Sequence, residues 1–109
     1  MRRGDIVIVA APGDYGKPRP AILVQGDVLN QADPDSMILA LMTGTLRDAP
    51  LLRLTVEPSL QNGLQKSSQI MVDKLQTVRR EKIGQIIGRL SEKELLELNQ
   101  LLAMVVGLA

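Results

Sequence analysis

The sequence predicts a mainly β fold: a small curled barrel finished by one C-terminal helix. Three observations lead there. Short runs of Ile, Val, Leu, Met and Ala recur at close spacing up to Leu90. Gly, Pro, Asn and Asp punctuate them, which are the residues that turn a chain. After Leu90 the pattern switches to helical spacing behind a capping box. At 109 residues the chain is long enough for one core and reads as a single domain, 1–109.

Ile6–Ala10 is the first expected strand, opened by Gly4-Asp5. Pro12–Gly16 is a turn-rich loop whose two glycines can supply positive φ. Ala21–Gln25 is a second, buried strand. Gly26–Asp35 is a polar connection with room for one helical turn. Met37–Met42 is apolar on both faces, as a central strand is. In Leu52–Glu57 the residues Leu52, Leu54 and Val56 alternate with Arg53, Thr55 and Glu57, and Pro58 ends the run. Asn62-Gly63 carries the signature of a tight turn. Ser68–Val72, Leu75–Val78 and Gln85–Leu90 read as three further strands, with the charged corner Arg79–Lys82 between the last two. Ser91 and Glu94 form the capping box of a helix from Glu92 to Val106, which Gly107 stops. Its leucines cover too wide an arc to face water, so it packs on the sheet or partly on a second subunit.

Composition excludes several chemistries. The chain has no Cys and no His, which removes disulfides, thiol nucleophiles, the commonest acid–base group and the commonest metal ligands. No acidic cluster has metal-loop spacing, and no metal or cofactor is expected. Phe and Trp are absent, so Tyr15 is the one residue on which a base can stack. A net charge of +1 is no basic footprint, and nucleic-acid binding requires a local patch made by folding or pairing. Neither a signal peptide nor a membrane-length apolar run is present, which makes a cytoplasmic protein the expectation.

One stretch stands apart. In Lys17-Pro18-Arg19-Pro20 the two prolines stiffen the backbone around two cations, immediately before the buried run Ala21–Val24. Arg19 there is either an ordinary solvated loop charge or a guanidinium held for use.

Read in order, Arg3-Gly4-Asp5-Ile6-Val7, a Gly-containing loop, Arg19–Gln25, Leu41–Leu46, Ser68–Lys74, Thr77-Val78 and Ile87–Ser91 resemble the MazF/PemK toxin family over nearly the whole chain. The resemblance implies an SH3-like barrel of the CcdB/PemK/MazF type with a C-terminal helix. It also implies a homodimer whose groove takes single-stranded RNA, metal-independent cleavage at short sequences, and a cognate antitoxin that blocks the groove. Residue by residue, Arg19 matches the family's catalytic Arg and Thr43 its catalytic Ser/Thr. Asp73 lies where some members use a carboxylate, although Met71 stands where those members carry a basic residue. The RNA contacts implied are Tyr15, Lys17, Thr45, Arg47, Gln69 and Lys74. Taken singly, the cations among them are ordinary solvated charges, and Asp73-Lys74 is equally a turn pair or a local ion pair.

These residue types suit RNA cleavage because RNA carries its own nucleophile, the 2′-hydroxyl. The protein need only align it, stabilise a charged phosphorane and let the 5′-oxygen leave. Arginine pairs with two phosphoryl oxygens at once and stays charged. A threonine hydroxyl adds one hydrogen bond, and with no His to activate it a covalent role is disfavoured. The competing readings are a CcdB-like toxin that binds DNA gyrase without catalysis, and a catalytically dead relative that binds DNA or titrates antitoxin.

Overall fold

The fold comes from a computed structural model that describes residues 1–10 and 17–109. Six antiparallel strands form one sheet in the order β4-β5-β3-β2-β1-β6. They are β1 (Asp5–Val9), β2 (Arg19–Leu23), β3 (Ser36–Thr43), β4 (Arg53–Val56), β5 (Ser68–Arg79) and β6 (Ile83–Arg89). A single helical turn, α1 (Asp27–Asn30), joins β2 to β3, and α2 (Glu92–Val105) ends the chain.

Strand alternation sorts the core into two apolar layers. Ile6, Ile22, Ala40, Met42, Ile70 and Val72 face α2, which covers them with Leu95, Leu98, Leu101, Leu102 and Val105. Val7, Val9, Ala21, Leu23, Leu39, Leu41 and Val78 form the second layer. Among the described residues, no helix residue packs against it. Because β3 contributes to both layers, it is apolar on both faces, and it lies between β2 and β5 as expected of a central strand. The Ser91–Glu94 capping box forms as read: the Ser91 hydroxyl accepts the Glu94 N–H, and the Ser91 N–H donates to the Glu94 carboxylate.

Two expectations change. Ser68–Val72 and Leu75–Val78 are parts of one strand, β5. The pairing runs from Met42↔Ile70 to Ala40↔Leu75, so β5 advances five residues while β3 advances two. The surplus bulges outward, and Asp73 and Lys74 stand exposed on it; this polar pair only mimics a turn.

Asn62-Gly63 is not a two-residue hairpin turn either. It lies inside the longer connection 57–67 between β4 and β5. Buried Asn62 braces that connection: its Oδ1 accepts from the Ser59 and Leu64 N–H groups, and its Nδ2 donates to the Glu57 carbonyl. Gly63 has φ +69°, and a Cβ there would lie 2.2 Å from the Ile87 carbonyl oxygen. A Cβ on Gly88 would meet the Gln61 carbonyl oxygen at 2.4 Å. The connection is thus laid on β6 at a distance only glycines permit, and it finishes beside the start of β2. Among the described residues, no helix is long and apolar enough to cross a membrane.

Candidate phosphate-binding cavity

Arg19 opens β2 and Thr43 closes β3, so both lie at one end of adjacent antiparallel strands. The β2–β3 register is Ala21↔Leu41, Ile22↔Ala40 and Leu23↔Leu39. Carried two residues beyond Ala21, it points Arg19 at Thr43 on the same face. The pairing stops at Ala21, next to Pro20, which has no N–H to give a ladder. At that end a concavity of about 330 Å³ is lined by Lys17, Arg19, Thr43, Gly44, Lys66 and Ser68, with Pro18, Pro20 and Met42. Arg19 and Thr43 therefore share one cavity, and Lys17 joins them.

Three cations and two hydroxyl residues line this cavity, and none of its described lining residues is a carboxylate. Arginine and lysine at this density attract an anion, and phosphate is the anion their geometry suits. The Thr43 Oγ1 accepts the Thr45 N–H at 3.1 Å. That bond fixes the strand end and leaves the hydroxyl hydrogen able to donate to a ligand.

Lys66 is the residue sequence reasoning missed. It arrives on the 57–67 connection, far in sequence from Arg19 and Thr43, in the polar run Gln65-Lys66-Ser67-Ser68. Nothing in that run distinguishes it; only the seating of the connection against β6 could have revealed it. Lys66 also borders an adjoining hollow of about 480 Å³ walled by Ile8, Pro20, Leu64 and Ile87.

Other candidates lie elsewhere. Gln69 is buried, and its amide is fully engaged. Its Oε1 accepts from the Arg47 N–H at 3.0 Å and from Arg53 Nη1 at 3.2 Å, and its Nε2 donates to the Arg47 carbonyl and to Thr55 Oγ1. Arg47, Arg53 and Gln69 line a second cavity of about 510 Å³ against α2, together with Asp48 and Glu97. Gln69 thus braces the 45–53 segment and offers RNA no spare amide atom. Thr45 donates its N–H to Thr43 and accepts Arg53 Nη1 at its carbonyl, 3.4 Å away. Asp73 and Lys74 pair with each other at 3.7 Å on the β5 bulge and line neither cavity. Arg79 and Arg80 are held by Glu81 and Asp33. Tyr15 and the Pro12–Gly16 loop lie outside the described residues.

The fold and cavity together define a helix-backed antiparallel β-barrel that concentrates positive charge at one sheet end. Residues 2–106 match the PemK-like, MazF-like toxins of type II toxin–antitoxin systems, and the chain belongs to that family. It is 39% identical to a probable endoribonuclease MazF of Mycolicibacterium smegmatis, over 100% of this chain and 99% of that one. An endoribonuclease MazF of Staphylococcus saprophyticus is 27% identical over 99% of this chain and 92% of its own. Among solved structures, a mycobacterial endoribonuclease in complex with its cognate antitoxin superposes with a TM-score of 0.83. It covers 100% of this chain and 97% of its own at 20% identity. The Mycobacterium tuberculosis toxin MazF-mt6 gives 0.81, covering 96% of this chain and 98% of its own at 23% identity. These two share the fold. The family and the helix-backed barrel expected from the sequence are both found.

Proposed function

We propose that this chain is a sequence-specific endoribonuclease toxin that cuts single-stranded RNA without a metal and is neutralised by a cognate antitoxin. The observation that carries the reading is the one cavity that brings Arg19, Lys17 and the Thr43 hydroxyl together. The family membership and the endoribonuclease relative at 39% identity support it.

In this reading the RNA 2′-oxygen attacks the adjacent phosphorus and the P–O5′ bond breaks. A 2′,3′-cyclic phosphate and a 5′-hydroxyl result. The 2′-hydroxyl proton passes to solvent, and the 5′-oxygen takes one up from it, so the sum is balanced without a metal. Arg19 stabilises the phosphorane with its planar fork. Thr43 donates one hydrogen bond to a phosphoryl oxygen and keeps the strand end in place. Lys17 steers the RNA backbone. Asp73, paired with Lys74 outside the cavity, is left out of the catalytic set.

The protein acts in the cytoplasm as a homodimer. Support for the dimer comes from the C-terminal helix: Leu96 and Met104 on α2, and Val106 just beyond it, remain exposed after the helix has packed on the sheet. The test is incubation of the purified protein with a defined transcript in EDTA, followed by mapping of the ends. Cleavage at a short recurring sequence with cyclic-phosphate and 5′-hydroxyl ends is expected. Intact RNA, or cleavage that requires an added metal, overturns the proposal; intact RNA with inhibited gyrase replaces it by the non-catalytic alternative.

A further inference from the structure

We infer that Lys66 is the second cation of the scissile-phosphate site, and that Gly44 is its seat. The inference rests on the endoribonuclease reading and extends it to a residue outside the Arg19–Thr43 pair.

The geometry begins with Gly44. A Cβ built there would lie 2.5 Å from Lys66 Cε and 2.6 Å from its Nζ. The end of the lysine therefore occupies the space that any other residue at 44 would fill. It lies against the backbone that follows Thr43, in the cavity that contains Arg19. Gly44 has no left-handed backbone to maintain, so its lack of a side chain serves space and not conformation.

The connection that brings Lys66 there is built to do so. Asn62 holds it from inside, and Gly63 and Gly88 let it lie directly on β6. Ser68 closes it, its hydroxyl donating to the Lys66 carbonyl at 3.0 Å. Lys66 is exposed, and it leaves this braced segment two residues before the start of β5.

Its electrostatic setting is equally telling. Four cations elsewhere have carboxylate partners: Arg79 with Glu81, Arg80 with Asp33, Lys74 with Asp73 and Arg89 with Asp5. Among the described residues, no carboxylate pairs with Lys66. A lysine with no described carboxylate partner is best stabilised by an arriving anion, and more so as that anion gains charge. The phosphorane carries more negative charge than the diester it comes from, so a second cation stabilises the transition state above the ground state. Arginine clasps two phosphoryl oxygens, while lysine, a compact point charge, meets the remaining oxygen or the departing 5′-oxygen.

The test compares Lys66→Ala, Lys66→Arg and Gly44→Ala with wild type and Arg19→Ala. Single-turnover cleavage of a defined RNA and the salt dependence of binding to the same RNA, made uncleavable by a 2′-deoxy nucleotide at the cut, are both measured. Lys66→Ala should slow cleavage about 10- to 100-fold, at or below the roughly 100- to 1,000-fold of a lost oxyanion-hole donor. It should also flatten the slope of log K against log salt by about 0.7, the value of one phosphate contact on a single strand. Lys66→Arg should keep the wild-type slope. Gly44→Ala should slow cleavage comparably, because its methyl group displaces the ammonium while Arg19 and Thr43 stay in place. Wild-type cleavage by both Lys66→Ala and Gly44→Ala overturns the inference, as does slow cleavage by Lys66→Ala with an unchanged salt slope. If either result accompanies an inactive Arg19→Ala, the endoribonuclease reading stands and the role of Lys66 falls alone. An inert wild type removes both.

Discussion

Thr43 and Gln69 are partners across β3 and β5, yet each faces a different cavity. On the Gln69 side, Arg47 and Arg53 share their space with Asp48 and Glu97, and every polar atom of the Gln69 amide is bonded within the protein. On the Thr43 side, Lys17, Arg19 and Lys66 converge with no described carboxylate among them. The first arrangement is how a fold satisfies its own polar groups. The second gathers cations around one hydroxyl in a cavity open to a ligand. Counting arginines along the sequence would rank the two alike; their partners separate them.

That contrast predicts which substitutions strike activity and which strike stability. The largest expected effect is Arg19→Ala: cleavage of a target RNA at least about 100-fold slower, a loss of roughly 3–4 kcal/mol of transition-state stabilisation, with the fold retained. Unaltered cleavage would take Arg19 out of the mechanism. Gln69→Leu should behave in the opposite way. It leaves the Arg47 N–H and carbonyl without their amide partner and should cost about 1–3 kcal/mol of stability by denaturant titration. Cleavage measured well below its midpoint should stay near wild type. A stable Gln69→Leu protein that no longer cuts RNA would mean that the two cavities work as one.

Ser91→Ala, distant from both cavities, calibrates the comparison. Losing the hydroxyl that accepts the Glu94 N–H should lower stability by about 1 kcal/mol and leave cleavage unchanged.

The smallest effect belongs to Asp27. Its carboxylate accepts the Arg3 N–H at 2.8 Å and the Asn30 side-chain amide at 3.0 Å. These bonds, the Arg3 one foremost, hold its pKa below the ordinary carboxylate value of about 3.9. A depressed carboxylate stabilises the fold fully above the unfolded value, and that contribution fades as pH falls through the folded one. Asp27→Asn should therefore lower the melting temperature slightly at neutral pH and flatten the acid limb below about pH 4, where the two proteins converge. An acid limb identical to wild type would contradict it.

The elements that could be read from sequence were those governed by local rules. β1, β2 and β3 showed as unbroken aliphatic runs, and α2 announced itself by Ser91, Glu94 and leucines at helical spacing. β5 was divided in two because Asp73-Lys74 has the polarity of a turn; only pairing with β3 reveals that the chain bulges and continues. The same limit governs the site. Arg19 and Thr43 could be named because the ordered motifs around them resemble the MazF/PemK family, and adjacent strand ends bring them to one cavity. Gln69 resembled a ligand contact because its type does not disclose that the Arg47 backbone claims it. Lys66 was invisible because its place depends on how Gly63 and Gly88 let two backbones meet.

The most direct test is a crystal structure of the protein with an RNA carrying a 2′-deoxy nucleotide at the mapped cut site. The account predicts the scissile phosphate between the Arg19 guanidinium and the Thr43 hydroxyl, with Gln69 still bonded to the Arg47 backbone. A phosphate seated beside Arg53 and Gln69 instead, with Arg19 untouched, would contradict it.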